Sequence, residues 1–208
     1  MKPIVLLKRA IFAAALIPAA ALAADAYRGE LTANPIEYIT HTTGDWAIRF
    51  LIITLAVTPI RRVTGWNPII QLRRMLGLFA FFYATLHFLT WFVLDWFFDF
   101  RQMVKDIAMR PFITLGMATF VMLLALAVTS TQGSIRRLGR RWTQLHRLIY
   151  VAACTALFHF WLARKTVVPQ FQVLLVAGVV LLGFRAWWTL RTRTRARPRV
   201  DRALGAER

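Results

Sequence analysis

Residues 72–98 read LRRMLGLFAFFYATLHFLTWFVLDWFF. Two arginines open the stretch, an acid stands near its end, and the apolar text between them is long enough to cross a bilayer core, which takes ~20 residues of helix. Inside it lies one histidine, His87, a residue type whose free side chain changes charge near neutral pH. An ionisable group at membrane depth is costly and marks a proton path, an ion site or a bound metal. Neutral imidazole is also the commonest protein ligand for metals and a regular axial ligand of haem iron.

Working outward, five more apolar stretches of similar length flank this one. The six expected spans are Ile4–Ala24, Trp46–Val63, Met75–Phe98, Pro111–Ser130, Trp142–Ala163 and Val168–Leu190. The composition agrees: 58% of the 208 residues are hydrophobic and 17% are charged, against roughly 45–50% apolar in soluble domains. The expected fold class is therefore all-α, an integral membrane six-helix bundle with short connections. Residues 1–190 form one membrane domain and residues 191–208 a basic, unstructured cytoplasmic tail. No internal repeat stands out along the chain. Cys154 is the single cysteine and reads as a small inert hydrophobe in an apolar helix. Covalent haem attachment is excluded, because Cys-x-x-Cys-His does not occur.

A net charge of +18 would suggest nucleic acid in a soluble protein. Here the basic residues collect at helix ends on one side, so a membrane-lipid surface is expected and no nucleic acid. With the N-terminus inside, 20 of the 27 lysines and arginines fall on the cytoplasmic side, which is the positive-inside pattern. Both termini are then cytoplasmic. The outer side holds Arg28, Arg49, Arg101, Lys105, Arg110, Arg164 and Lys165 together with most of the acids. Span one also fits a cleavable secretory signal, with small residues before Asp25. Its near-full spanning length favours a retained helix.

Three of the four histidines, His87, His146 and His159, fall within spans, and His41 lies in a polar connection. His87 is ~18 Å up span three and His159 ~25 Å up span five, both measured from the cytoplasmic face at ~1.5 Å per residue. The two rings share the outer half of the membrane. His146 is only ~6 Å into span five. Two imidazoles at one depth on different helices can sandwich a planar macrocycle. Span three offers Phe81, Phe82, Tyr83, Phe88, Trp91 and Phe92 as walls, and span five Phe158, Phe160 and Trp161. A b-type haem held by His87 and His159 is the sharp reading. Interhelical hydrogen bonding by lone histidines is the plain one. A proton relay would call for an acid in line, and none lies deep in a span. His146 is a candidate ligand of a second haem or of a quinone site, and a second haem would need a local unwinding of the helix, because His146 points roughly 140° away from His159 on an ideal helix.

Several pieces carry a family resemblance: NPIEYITHTTGDWA from residue 34, TPIRR from 58, LRRMLGLFAFFYATLH from 72, RPFITLGM from 110, LALAVTSTQGSIRRLGRRWTQLHRLIYV from 124 and HFWLARK from 159. In them the chain resembles the MsrQ (YedZ) family, haem-binding membrane subunits of bacterial periplasmic methionine sulfoxide reductase systems. That family sits within the ferric-reductase-like transmembrane group, which includes NADPH oxidases. The resemblance implies a multi-pass protein of the bacterial inner membrane that takes electrons from the quinone pool. It passes them through haem b to a periplasmic molybdenum-containing methionine sulfoxide reductase subunit. It also implies bound FMN, and haem ligands at His87, His159 and, less firmly, His146. NADPH oxidases carry histidine pairs on both the third and fifth spans, whereas this chain has Arg73 and Arg74 one pair-spacing before His87. One haem is therefore expected. The two arginines are candidates for haem propionates or a flavin phosphate, beside their role as topology anchors.

No GxGxxG, P-loop or soluble nucleotide domain is present, so the chain has no means of taking hydride from NAD(P)H. Its electrons come from a quinol or from a separate cytoplasmic flavin reductase. The rival readings are a ferric reductase core fed by such a flavoprotein, and a transporter or assembly factor whose histidines bridge helices. The chain is read as an electron-supplying subunit without its own methionine sulfoxide reductase site. Asp95, Asp99 and Asp106, with Arg101, Lys105 and Arg110, are expected to form a polar docking patch on the outer side.

Overall fold

The first long helix, α1 (Pro3–Arg28), contains Pro18, whose missing N–H interrupts the ladder of backbone bonds. Tyr83 repairs this point from outside. Its hydroxyl donates to the Ala15 carbonyl at 2.7 Å and accepts from the Ala19 amide at 3.2 Å. α1 is thereby tied to the body of the molecule, and Phe12 adds an edge contact to Phe79 at 5.2 Å. The computed structural model describes residues 3–163 and 169–205, with side chains described outside 169–171 and 192–205. Arg164 and Lys165, assigned above to the outer side, lie outside the described residues.

Helix α2 (Pro35–Thr64) begins eleven residues before the expected start at Trp46. Asn34 caps it by accepting from the Glu37 amide at 3.3 Å, Pro35 occupies the first turn, and Gly65 closes it in the left-handed region at φ 69°. These are standard start and stop signals. The early turns carry Thr40, His41, Thr43, Gly44 and Asp45, which lower hydropathy and hide the helix from an apolar window. His41 is consequently on α2, facing Glu37 at 3.4 Å, and not in a connection.

A 3₁₀ turn over Asn67–Gln71 leads into α3 (Leu72–Leu89). The helix widens into a π-helical stretch over Thr90–Asp95, a rare geometry that favours functional sites. Phe97 and Phe98 then adopt positive φ, 43° and 65°, a costly conformation for bulky residues. This reversal folds α4 (Phe100–Met109) back over the end of the bundle. α5 (Pro111–Val128) follows. Two short helices, α6 (Gln132–Leu138) and α7 (Arg140–Leu145), turn the chain at the opposite end. α8 (Leu148–Ala163) and α9 (Pro169–Gly205) complete the order.

Six segments are long and apolar enough to span a membrane, and among the described residues there is no strand. The molecule is a multi-pass, all-α membrane protein. α2 packs along α3 and α5 along α8, while α3 meets α5 and α9 lies against α2. Side chains at the α2–α3 and α5–α8 seams include fully buried Ala80 and Ala152, small enough for helix backbones to approach closely. The segment beyond residue 190, expected as an unstructured tail, continues α9 as helix to Gly205. Arginine, which recurs there, is a good helix former.

Candidate haem site between two helix pairs

At the α4 end of the bundle, α2, α3, α5 and α8 surround a cavity of about 510 Å³. Each helix contributes one face at helical spacing. α3 supplies Ala84, His87, Phe88, Trp91 and Asp95, and α8 supplies Ala156, His159, Phe160 and Ala163. The size is within the range of cofactor and ligand sites.

His87 and His159 meet across this cavity. Their ring centroids are 5.9 Å apart and the ring planes are inclined by 73°. His87 Nδ1 is 2.9 Å from the Thr40 carbonyl oxygen of α2. His159 Nδ1 is 2.6 Å from the Phe112 carbonyl oxygen of α5. A carbonyl only accepts, so each Nδ1 carries the proton and donates it. Each Nε2 is then left with its lone pair, the state in which imidazole binds a metal, and a backbone partner on the other nitrogen is the usual way to fix it. Among the described residues no group of three or more His, Cys, Asp or Glu side chains is placed to hold a metal ion. The donor set is thus two opposed imidazoles within a mainly apolar wall, which also carries His41, Asp45, Asp95, Asp106 and Arg110. That set suits an iron already held in a macrocycle and needing two axial ligands.

The aromatic walls differ from the sequence expectation. Phe88, Trp91 and Phe160 line the cavity, joined by Trp96 after the π turn and by Phe112 and Phe120 of α5. Phe81, Phe82, Tyr83, Phe92, Phe158 and Trp161 do not line it. Phe158 and Trp161 are exposed on α8, the lipid side of that helix. Tyr83 stacks on Phe50 at 5.4 Å in the core beneath α1. The helix pitch of 3.6 residues separates these rings from the histidine face. α5 carries no histidine, so nothing in its sequence singled out Phe112 or Phe120.

The expected docking patch is also rearranged. Asp106 is buried, pairs with Arg110 at 2.8 Å, and accepts from the indoles of Trp91 and Trp96 at 3.3 Å each. It locks α4 to the π turn and lines the cavity at that end. Asp99 caps α4 by accepting from the Gln102 amide at 3.1 Å. Burial removes Asp106 from a free surface patch, while Asp99 and Asp95 stay exposed at that end.

His146 is placed elsewhere. The fifth span breaks at His146–Arg147 between α7 and α8, near the α6 end. The local unwinding that a second site on this span would need is therefore present. His146 Nδ1 is 3.2 Å from the Trp142 carbonyl, the ring stacks on the Trp142 indole at 3.9 Å, and Nε2 is buried without a hydrogen-bond partner. Arg73 is its electrostatic neighbour and also neighbours Arg185. Arg185 lies over Tyr150 at 4.3 Å and Arg62 over Trp188 at 4.8 Å. Arg73 and Arg74 open α3 some 20 Å from His87 by helix rise, and neither lines the cavity.

The profile of the ferric reductase like transmembrane component family matches residues 43–157. That interval holds Gly44, His87 and Gly116 and ends two residues before His159. Three curated relatives are named protein-methionine-sulfoxide reductase heme-binding subunit MsrQ. The one from Herminiimonas arsenicoxydans is 49% identical, over 91% of this chain and 88% of its own length. Those from Ralstonia nicotianae and Bordetella pertussis are 48% and 45% identical, over 88% and 89% of this chain and 85% and 92% of their own. The chain belongs to the MsrQ family. It is thereby also a member of the ferric-reductase-like transmembrane group.

Proposed function

We propose that this MsrQ-family chain is the haem-carrying membrane subunit of a methionine sulfoxide reductase system, with b-type haem held axially by His87 and His159. The observation that carries the reading is the pair of imidazoles lining one cavity, each with Nδ1 committed to a backbone carbonyl and Nε2 left with its lone pair. When bound, haem supplies one-electron transfer. The chain's part is to hold the two rings in one tautomer, wall the site with Phe88, Phe112, Phe120 and Phe160, and keep lipid and water out. The buried Asp106 ties α4 to Trp91 and Trp96 of the π turn and to Arg110.

The distribution of Lys and Arg puts the α4 end on the periplasmic side and both termini in the cytoplasm of a bacterial inner membrane. Electrons come from the quinone pool and leave at the α4 end to a periplasmic molybdenum-containing methionine sulfoxide reductase subunit. FMN is the second cofactor of this reading. Arg73 and Arg74 are offered at the α6 end as guanidinium forks for its phosphate.

The test is an absorbance spectrum of protein purified from haem-replete cells, followed by stepwise addition of a quinol and of the purified periplasmic subunit. A bis-histidine b-type spectrum, reduced by quinol and reoxidised by the partner with its substrate, is expected. His87→Ala and His159→Ala are expected to lose the haem. Full haem content with unshifted bands in both variants would sink the ligand assignment.

A further inference from the structure

We infer that Gly44 and Gly116 are equivalent positioning residues for the two imidazoles, belonging to an internal repeat in which α2–α3 and α5–α8 each build one histidine seat. The inference rests on the haem reading above and specifies what holds its ligands.

The spacing comes first. His87 and His159 are 72 residues apart, and so are their carbonyl partners Thr40 and Phe112. Gly44 and Gly116 are again 72 apart, each one helical turn beyond its carbonyl partner. The ligand helices agree at the same offset. Leu76, Ala80, Ala84, His87 and Phe88 correspond to Leu148, Ala152, Ala156, His159 and Phe160. LAVT recurs at 55–58 and 126–129, and IRR at 60–62 and 135–137. The offsets there are 71 and 75, outside the 72-residue register of the histidine seats. The absence of a repeat, expected from the linear text, is thus corrected by the fold. The matching residues are few and become visible once the helices are paired. Both pairs run in the same sense, the parallel type of membrane repeat.

The contacts come second. A Cβ on Gly44 would lie 3.0 Å from His87 Nδ1 and 3.1 Å from its Cε1. A Cβ on Gly116 would lie 2.9 Å from His159 Nδ1 and 2.8 Å from its Cε1. A methyl group at Gly116 overlaps the ring edge that makes the carbonyl bond, and one at Gly44 crowds the equivalent edge. A ring that yields toward the cavity does so by stretching its Nδ1 bond to the carbonyl. Gly77 of α3 is the internal contrast. A Cβ there would meet only Thr54 Cγ2 at 3.6 Å, ordinary contact. The two glycines therefore admit the rings to their carbonyls, and the carbonyl bonds set tautomer and ligand basicity.

The experiment compares the full-length parent, Gly44→Ala, Gly116→Ala and Gly77→Ala. The readouts are haem content, the low-spin electron paramagnetic resonance of the ferric form, and the midpoint potential. Loss of a partner on a ligand's second nitrogen weakens metal binding by about 10–100-fold. Gly44→Ala and Gly116→Ala should each weaken haem retention on that scale, or raise the potential and shift the low-spin signal. Gly77→Ala should match the parent. If either cavity variant matches Gly77→Ala in all three readouts, the inference is overturned. Electron-nuclear double resonance on the parent tests it without relying on any variant's folding. An exchangeable, hydrogen-bonded Nδ1 proton is expected on both axial ligands, and its absence from either overturns the inference. A parent free of haem would sink the haem reading itself. A haem-loaded parent with silent glycine variants would sink only the positioning.

Discussion

The two ends of the bundle treat their histidines differently. At the α4 end two rings come from separate helix pairs, face one cavity, and have one nitrogen each tied to backbone. At the α6 end His146 has no histidine opposite. It stacks on its own neighbour Trp142 and sits beside arginines. In the 72-residue register His146 corresponds to Arg74. One end of the repeat thus keeps both imidazoles and the other keeps one. The difference shows that a membrane histidine becomes a ligand candidate through its partners across the helix interface. Burial by itself does not make it one.

The strongest way to break this comparison is to remove the histidines singly. His87→Ala and His159→Ala should abolish the Soret band, whereas His146→Ala should keep nearly full haem content with an unshifted maximum. Pyridine haemochrome assay of the purified variants measures it, and equal losses at all three positions would erase the distinction between the ends.

A smaller effect is expected at the α4 end of the cavity. Asp106→Ala removes the acceptor shared by Trp91, Trp96 and Arg110 and should cost about 2 kcal/mol, less than a fully buried pair because Arg110 reaches the surface. Thermal unfolding in detergent reports the loss, and faster haem release should accompany it.

Off the cavity, Tyr83→Phe removes both bonds to α1 and should cost about 1–2 kcal/mol. Protease susceptibility of α1 should rise while the haem spectrum stays that of the parent. At the far end, Trp142 donates from its indole to the Thr129 carbonyl at 2.9 Å. Trp142→Phe should cost about 1 kcal/mol and leave haem content and spectrum unchanged. A spectral shift in this last variant would place a haem contact at the α6 end and sharpen the comparison in the opposite direction.

Much of the site was legible in the linear text, for a physical reason. Helix rise is uniform, so counting residues from the basic ends brought His87 and His159 to similar depth and set His146 apart. Their ring contact depends on the same quantity. The aromatic walls were read less well, because several rings assigned to them face lipid or the α1 core. Composition reports which rings a helix owns, and only its rotation against neighbours decides which ring faces inward. Thr40, Gly44, Phe112 and Gly116 fall within stretches that carry the family resemblance, yet nothing marked their roles, since a backbone carbonyl is common to every residue and a glycine in a helix has no chemistry to advertise. Asp106 looked like surface charge until the reversal at Phe97 and Phe98 folded α4 inward.

The sequence by itself determined the class of the molecule and the depth of its histidines, because both follow from hydropathy, charge placement and a fixed rise per residue. Tertiary structure alone decided which faces meet. It paired α2 with α3 and α5 with α8, brought two carbonyls and two glycines against two imidazoles, and gave the isolated His146 a tryptophan and arginines. Those choices depend on helix rotation and side-chain volume at interfaces between segments distant in the chain, which no local stretch of sequence specifies.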